Sequence, residues 1–192
     1  MPLRAALIVV DMLVDFFDGS SELSAQRTRL VSGINAIAAS FRAAGQPVIW
    51  VRQEFRSDLS DAFVDMRRRR VAITIAGTVG SQILPDLQRA PTDQVIVKKR
   101  YSAFFRTPLE DLLRALDPST LVIAGINTHA CVRTTVIDAY QRDFDVVVAS
   151  DCVGSYDAAH HDMTLSYLDG RIARLLTNSE IIRIAEKPKA DV

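Results

Sequence analysis

The chain has 192 residues, 48% of them hydrophobic and 24% charged, enough apolar material for a single domain over residues 1–192 with a sizeable core. Lysine plus arginine and aspartate plus glutamate each total 23, so no overall field would draw the chain to nucleic acid or an anionic membrane, and a small molecule is the expected partner. Two cysteines cannot build a disulfide framework, and the apolar run Leu3 to Val10 is too short for a signal peptide or a membrane span, so the expected location is the reducing cytoplasm.

In chain order, the first expected element is a strand over 5–11, an apolar run from Ala5 to Val10 that ends in Asp11. A helix over 25–44 and a strand over 47–51 follow, with Gly45 and Pro47 marking their junction. The stretch from Arg52 to Asp93 is too long for a bare loop in a compact domain, so helical pieces are expected near 60–69 and 80–89. Within it, Arg67-Arg68-Arg69-Arg70 follows Ala62, Phe63, Val64 and Met66 and reads as a solvated helix end rather than a phosphate contact. Strands over 94–98, 120–125 and 145–149 then alternate with helices over 108–115 and 129–142. A helix near 158–170, a short strand near 172–177 and a helix from 178 close the chain. The alternation predicts an α/β, three-layer, Rossmann-like fold: a six-stranded parallel sheet flanked by helices. Asp11-Met12-Leu13-Val14-Asp15 stands where a dinucleotide-binding fold carries its glycines, which disfavours a nucleotide cofactor.

In such a sheet, ligands bind beyond the carboxyl ends of the strands, where strand order reverses. Three chemically distinct groups emerge there. Asp11 ends the first strand, Lys98 ends Gln94-Val95-Ile96-Val97, and Cys131 follows the strand that ends at Gly125. Thr128 is placed to cap the next helix, which would put Cys131 in its first turn, where unpaired N–H groups and the helix dipole lower a thiol below its ordinary value of about 8.5. A carboxylate can accept the thiol proton and an ammonium can balance the charge. The competing readings are a small buried core residue for Cys131 and a structural ion pair for Asp11 and Lys98.

Three motifs together resemble the isochorismatase-like hydrolase superfamily, the cysteine hydrolases. They are Val9-Val10-Asp11-Met12 with Asp15-Phe16-Phe17, Val97-Lys98 through Phe105 with Thr107 and Leu109, and Gly125 through Cys131-Val132 with Thr135 and Asp138-Ala139. The resemblance implies a triad of Asp11, Lys98 and Cys131. It also implies a cis peptide between Ile126 and Asn127, which turns the Asn127 N–H toward an oxyanion hole shared with the Cys131 N–H. The implied activity is cleavage of a C–N amide bond of a small molecule through a thioester, in a dimer or tetramer. Relatives that hydrolyse a vinyl ether without the thiol supply the alternative, and a non-catalytic binding protein on the same fold is the reading from another class.

Phe17, Tyr101, Phe104 and His129 are the candidate substrate contacts, with core packing or helix capping as the competing roles. Metal-binding members of the superfamily carry Asp-x-His after the second strand. Here Arg52-Gln53-Glu54-Phe55 stands instead, and the three histidines lie at 129, 160 and 161, so no metal and no other cofactor is expected. His160 and His161 are adjacent and point apart on a helix, which suits capping or packing. Cys152 is expected as a buried bystander at the end of the fifth strand.

Overall fold

Strands β1 (Ala5–Val10) and β4 (Thr120–Ile126) are buried along their whole length, which a strand tolerates only when both faces of its sheet are covered. In the computed structural model, which describes residues 4–185, they pair in parallel at the centre of a six-stranded sheet. The others are β2 (Val48–Gln53), β3 (Gln94–Lys98), β5 (Asp145–Gly154) and β6 (Arg174–Leu176), and the order is β3-β2-β1-β4-β5-β6 with every neighbouring pair parallel. The helices are α1 (Val14–Asp18), α2 (Ser21–Ala43), α3 (Val64–Arg69), α4 (Leu109–Leu116), α5 (Arg133–Tyr140), α6 (Ala158–Leu168) and α7 (Asn178–Ala185). The expected α/β fold with a parallel six-stranded sheet is therefore the observed one.

The strand period of two divides the core into two layers. Leu7 and Val9 join Trp50, Phe41 and the buried face of α2, whereas Ala6, Ile8 and Val10 join Leu109, Leu113, Val132 and Val136 on the side of α4 and α5. Strand order reverses between β1 and β4, and the chain leaving each strand there carries Asp11 on one side and Asn127 on the other.

Several element boundaries differ from expectation for identifiable reasons. α2 starts at Ser21, ahead of its apolar periodicity, because the Ser20 side chain accepts the Leu23 N–H and caps it. α1 is a single short turn and leaves no periodic signature. No helix forms over 80–89 beyond a 3₁₀ turn at Val79–Ser81. Ile83, Leu84 and Leu87 are buried there on irregular backbone, held by Leu84 N–H to the Met12 carbonyl at 2.9 Å. β5 continues to Gly154 past a register shift opposite Ile123 and Gly125, so Cys152 lies inside the strand rather than beyond it. Arg67 to Arg70 end α3 as an exposed run, with Arg70 in a left-handed C-cap.

The long segment between β2 and β3 is pinned at both ends. Near its start, buried Phe55 donates its N–H to the Thr74 carbonyl and accepts the Ala76 N–H, and Asp15 Oδ2 takes the Thr74 N–H at 2.6 Å. Near its end, Asp93 accepts Arg42 Nη2 at 2.6 Å, Trp50 Nε1 at 2.8 Å and the Ala90 N–H at 2.9 Å.

Candidate active site

Asp11 leaves β1 in the left-handed region, with φ of 54°, a conformation Asp tolerates better than most side chains. The turn keeps its carboxylate fully buried at the strand end, where Oδ1 accepts the Gln53 N–H at 2.8 Å. Beside it, Gly125 has φ of 112°, and a Cβ there would lie 2.0 Å from the Val10 carbonyl oxygen. Only glycine permits that approach. It lets the end of β4 close onto β1.

Lys98 ends β3 with a fully buried side chain. Its ammonium pairs with Asp11 Oδ2 at 2.6 Å and donates to Cys131 Sγ at 3.4 Å and to the Arg100 carbonyl at 3.1 Å. Burial disfavours the charge, but the interactions with Asp11 first and then Cys131 outweigh it and hold the Lys98 pKa above its ordinary value. The three groups anticipated at the rim thus meet in one buried contact set.

Cys131 lies in a single π-helical turn, Thr128–Val132, ahead of α5. Two expectations are corrected here. Thr128 does not cap: its hydroxyl donates to the Gly154 carbonyl at 2.9 Å and contacts His161 Nδ1 at 2.8 Å, while Asn127 occupies the cap position and its Oδ1 accepts the Tyr156 N–H at 3.3 Å instead of capping. Nor is the thiol lowered. Burial pushes Cys131 up to about 12, Lys98 opposes the rise and Asp11 adds to it, so the surroundings favour the thiol over the thiolate despite its place near a helix start. The Ile126–Asn127 peptide bond is cis.

The candidate substrate contacts divide. Phe17 lies wholly in the core against α2, and its neighbour Phe16 instead lines a cavity of about 440 Å³ that reaches Asn127 and Tyr156. Phe104 is also core, stacked on Phe144. Tyr101 is half-exposed and packs on Phe63 with ring centroids 4.9 Å apart. Burial raises its phenol pKa, and Cys131 and Tyr156 add to the rise, which marks it as a neighbour of the sulfur. His129 bonds Ser155 Oγ through Nδ1 at 2.7 Å and meets Tyr156 edge-on at 5.0 Å; burial first, then His160, lowers its pKa. His160 binds the N-cap Asp157 at 2.7 Å, and His161 points away to Thr128.

One residue missed in the sequence stands out. Gln53 is 5% exposed, sits in register with Lys98, and its Nε2 finds no hydrogen-bond partner among the described residues. An unpaired buried donor costs about 1–3 kcal/mol, which makes it a group awaiting an acceptor. Its register beside Lys98 was the available signal. In the same segment, where metal-binding members carry Asp-x-His, Gln53 is neutral, Glu54 is paired with Arg52 at 2.9 Å and Phe55 is buried. That donor set does not fit a divalent ion, and no cluster of three or more His, Cys, Asp or Glu among the described residues could hold one. No helix among them is long and apolar enough to cross a membrane.

A doubly covered parallel sheet with a buried thiol, carboxylate and ammonium at its switch point sets the chain among the three-layer α/β proteins. The chain belongs to the isochorismatase family, whose domain matches residues 5–180. A cysteine hydrolase from Pseudomonas syringae superposes with a TM-score of 0.89 at 28% identity, covering 97% of this chain and 94% of that one. The probable inactive nicotinamidase of Arabidopsis thaliana is 34% identical over 175 residues, 86% of this chain and 87% of that protein. The ureidoacrylate amidohydrolase of Cronobacter turicensis is 31% identical over 172 residues, 78% of this chain and 74% of that protein.

Proposed function

We propose that this single domain is a cofactor-free cysteine hydrolase that cleaves a C–N amide bond of a small molecule through a thioester on Cys131. The observation that carries the reading is the Lys98 ammonium, buried and in contact with both Asp11 Oδ2 at 2.6 Å and Cys131 Sγ at 3.4 Å. Because the resting thiol is protonated, proton loss accompanies attack: Asp11 takes the thiol proton as sulfur bonds to the carbonyl carbon, and Lys98 offsets the negative charge that develops. The N–H groups of Asn127 and Cys131 are the donors for the oxyanion. As the tetrahedral species collapses, the C–N bond breaks and Asp11 returns its proton to the leaving amine or ammonia. The same carboxylate then draws a proton from water, whose oxygen attacks the thioester, and the acid departs as the thiol is restored. The similarity to a cysteine hydrolase and an amidohydrolase supports amide chemistry. Gln53, Phe16, Tyr101, Tyr156 and His129 are the side chains assigned to substrate. Assembly as a dimer or tetramer in the cytoplasm belongs to the same reading.

The raised thiol favours one competitor, vinyl ether hydrolysis, in which a proton from the Asp11 carboxyl does the work without sulfur. A relative named as probably inactive supports another, a binding protein. A screen of primary amides and carbamoyl compounds for ammonia release, with intact-mass detection of an acyl adduct, separates the three. Turnover with an adduct on Cys131 supports the proposal. Ether cleavage that survives Cys131→Ala overturns it, as does ligand binding without turnover of either class.

A further inference from the structure

The loop that follows β3 and the helix that carries Cys131 are tied by two threads of hydrogen bonds that this reaction scheme does not use. Thr135 is fully buried. Its hydroxyl donates to the Cys131 carbonyl at 2.7 Å and accepts the Ala103 N–H at 3.0 Å, so one oxygen bridges segments 32 residues apart. A threonine bonding the carbonyl four residues back is common in helices. The second bond, to another segment, is not explained by helix geometry. One turn further on, Asp138 accepts the Ser102 hydroxyl, and Ser102 Oγ accepts the Phe104 N–H at 3.1 Å. Behind Asp138, Arg142 holds its Oδ1 at 3.1 Å, reaches Glu110 at 2.9 Å and lies over the Phe104 ring. The loop held in this way supplies the Arg100 carbonyl that takes one of the three Lys98 protons.

We propose that Thr135 and Asp138 are positioning residues, which clamp the 99–107 loop to the cysteine helix and thereby fix the Lys98 ammonium against the Cys131 sulfur. The Arg100 carbonyl accepts one of the two hydrogen bonds that Lys98 donates, the other going to Cys131, so a shift of the loop withdraws Arg100 and re-aims the ammonium. The inference rests on reading Cys131 and Lys98 as the reacting pair. Misplacement by about 1 Å costs on the order of 10²-fold in rate, so a clamp remote from the chemistry has a measurable effect.

The test is alkylation of Cys131 by iodoacetamide over a pH series, read by peptide mass with Cys152 as internal reference. It needs no substrate, so a protein that hydrolyses no amide can still be scored, and failure of the functional reading is distinguishable from failure of this one. Thr135→Val and Asp138→Asn are expected to move the Cys131 profile to higher pH, because less of the Lys98 charge reaches the sulfur. The rate at neutral pH should fall between about tenfold and 10²-fold, with Cys152 unchanged, and Thr135→Ser, which keeps the hydroxyl, should restore the wild-type profile. A Thr135→Val protein with lowered Tm but an unshifted Cys131 profile would overturn the proposal and leave an ordinary structural bond. If that variant does not fold, Ser102→Ala cuts the Asp138 thread alone and is judged by the same two outcomes.

Discussion

The two cysteines of this chain form a natural comparison. Cys131 and Cys152 are both buried, and burial pushes both thiols up to about 12. Cys152 donates to Asn178 Oδ1 at 3.0 Å and packs so closely on α2 that a Cβ at Gly33 would lie 2.8 Å from its sulfur. It has an acceptor, and the nearby Arg29 guanidinium bonds the Asp151 and Val153 carbonyls on either side rather than the sulfur. Cys131 has a carboxylate and an ammonium instead. Burial therefore sets the resting protonation state of each sulfur, and the neighbours decide whether the proton has anywhere to go.

The sharpest contrast comes from paired substitutions. Cys131→Ala is expected to lower ammonia release by roughly 10⁴-fold or more, whereas Cys152→Ala should retain most of the activity; equal losses would dissolve the distinction. Lys98→Met comes next. It strands the Asp11 carboxylate in the interior, and breaking a buried pair costs about 3–5 kcal/mol, to be read as a lower midpoint in urea. Cys152→Ala leaves no charge unpaired and should cost less. Gln53→Leu should raise KM by about tenfold, the scale of one lost hydrogen bond of roughly 1.4 kcal/mol. It should leave Tm unchanged or higher, since it removes a donor without a partner; a fall in Tm would show that the amide is already satisfied.

The smallest effect expected is on alkaline stability. Both thiols ionise later when folded, so the unfolded chain loses its protons first as pH rises. Their contribution is complete below the pH at which a free thiol ionises and is lost as pH climbs toward about 12. Lys98 has the same sign: its pKa is raised, so its contribution is present below its ordinary 10.5 and is lost only above that. Urea midpoints taken across this range should fall, and less steeply in Cys152→Ala. A flat profile would mean that water reaches both sulfurs.

Much of this was legible in the chain itself. The apolar runs ending in Asp11 and Lys98, and the Gly125 to Cys131 motif, fixed both the parallel sheet and the residues that meet at its switch point, because strand ends and topology leave few other arrangements. The protonation of Cys131 was not legible. A helix start argues for a low pKa, but desolvation is a property of the assembled surroundings, and burial is the largest influence on this sulfur. Thr128 was misread for a related reason, since its hydroxyl is claimed by Gly154 and His161 from β5 and α6. Gln53 was given no role of its own, because an unsatisfied amide is visible only once every neighbour is placed. The expected helix over 80–89 failed because buried Ile83, Leu84 and Leu87 carry spacing that a helix and an irregular core plug share.

The fastening of the segment between β2 and β3 has an evolutionary corollary. Phe55 and Thr74 moor one end, Leu84 is held to Met12 within the core and Asp93 anchors the other end to Arg42 and Trp50, so only the exposed residues between these fastenings are exchangeable. Grafting the corresponding stretch from a relative, with these moorings retained, should retune selectivity while the sheet keeps its shape.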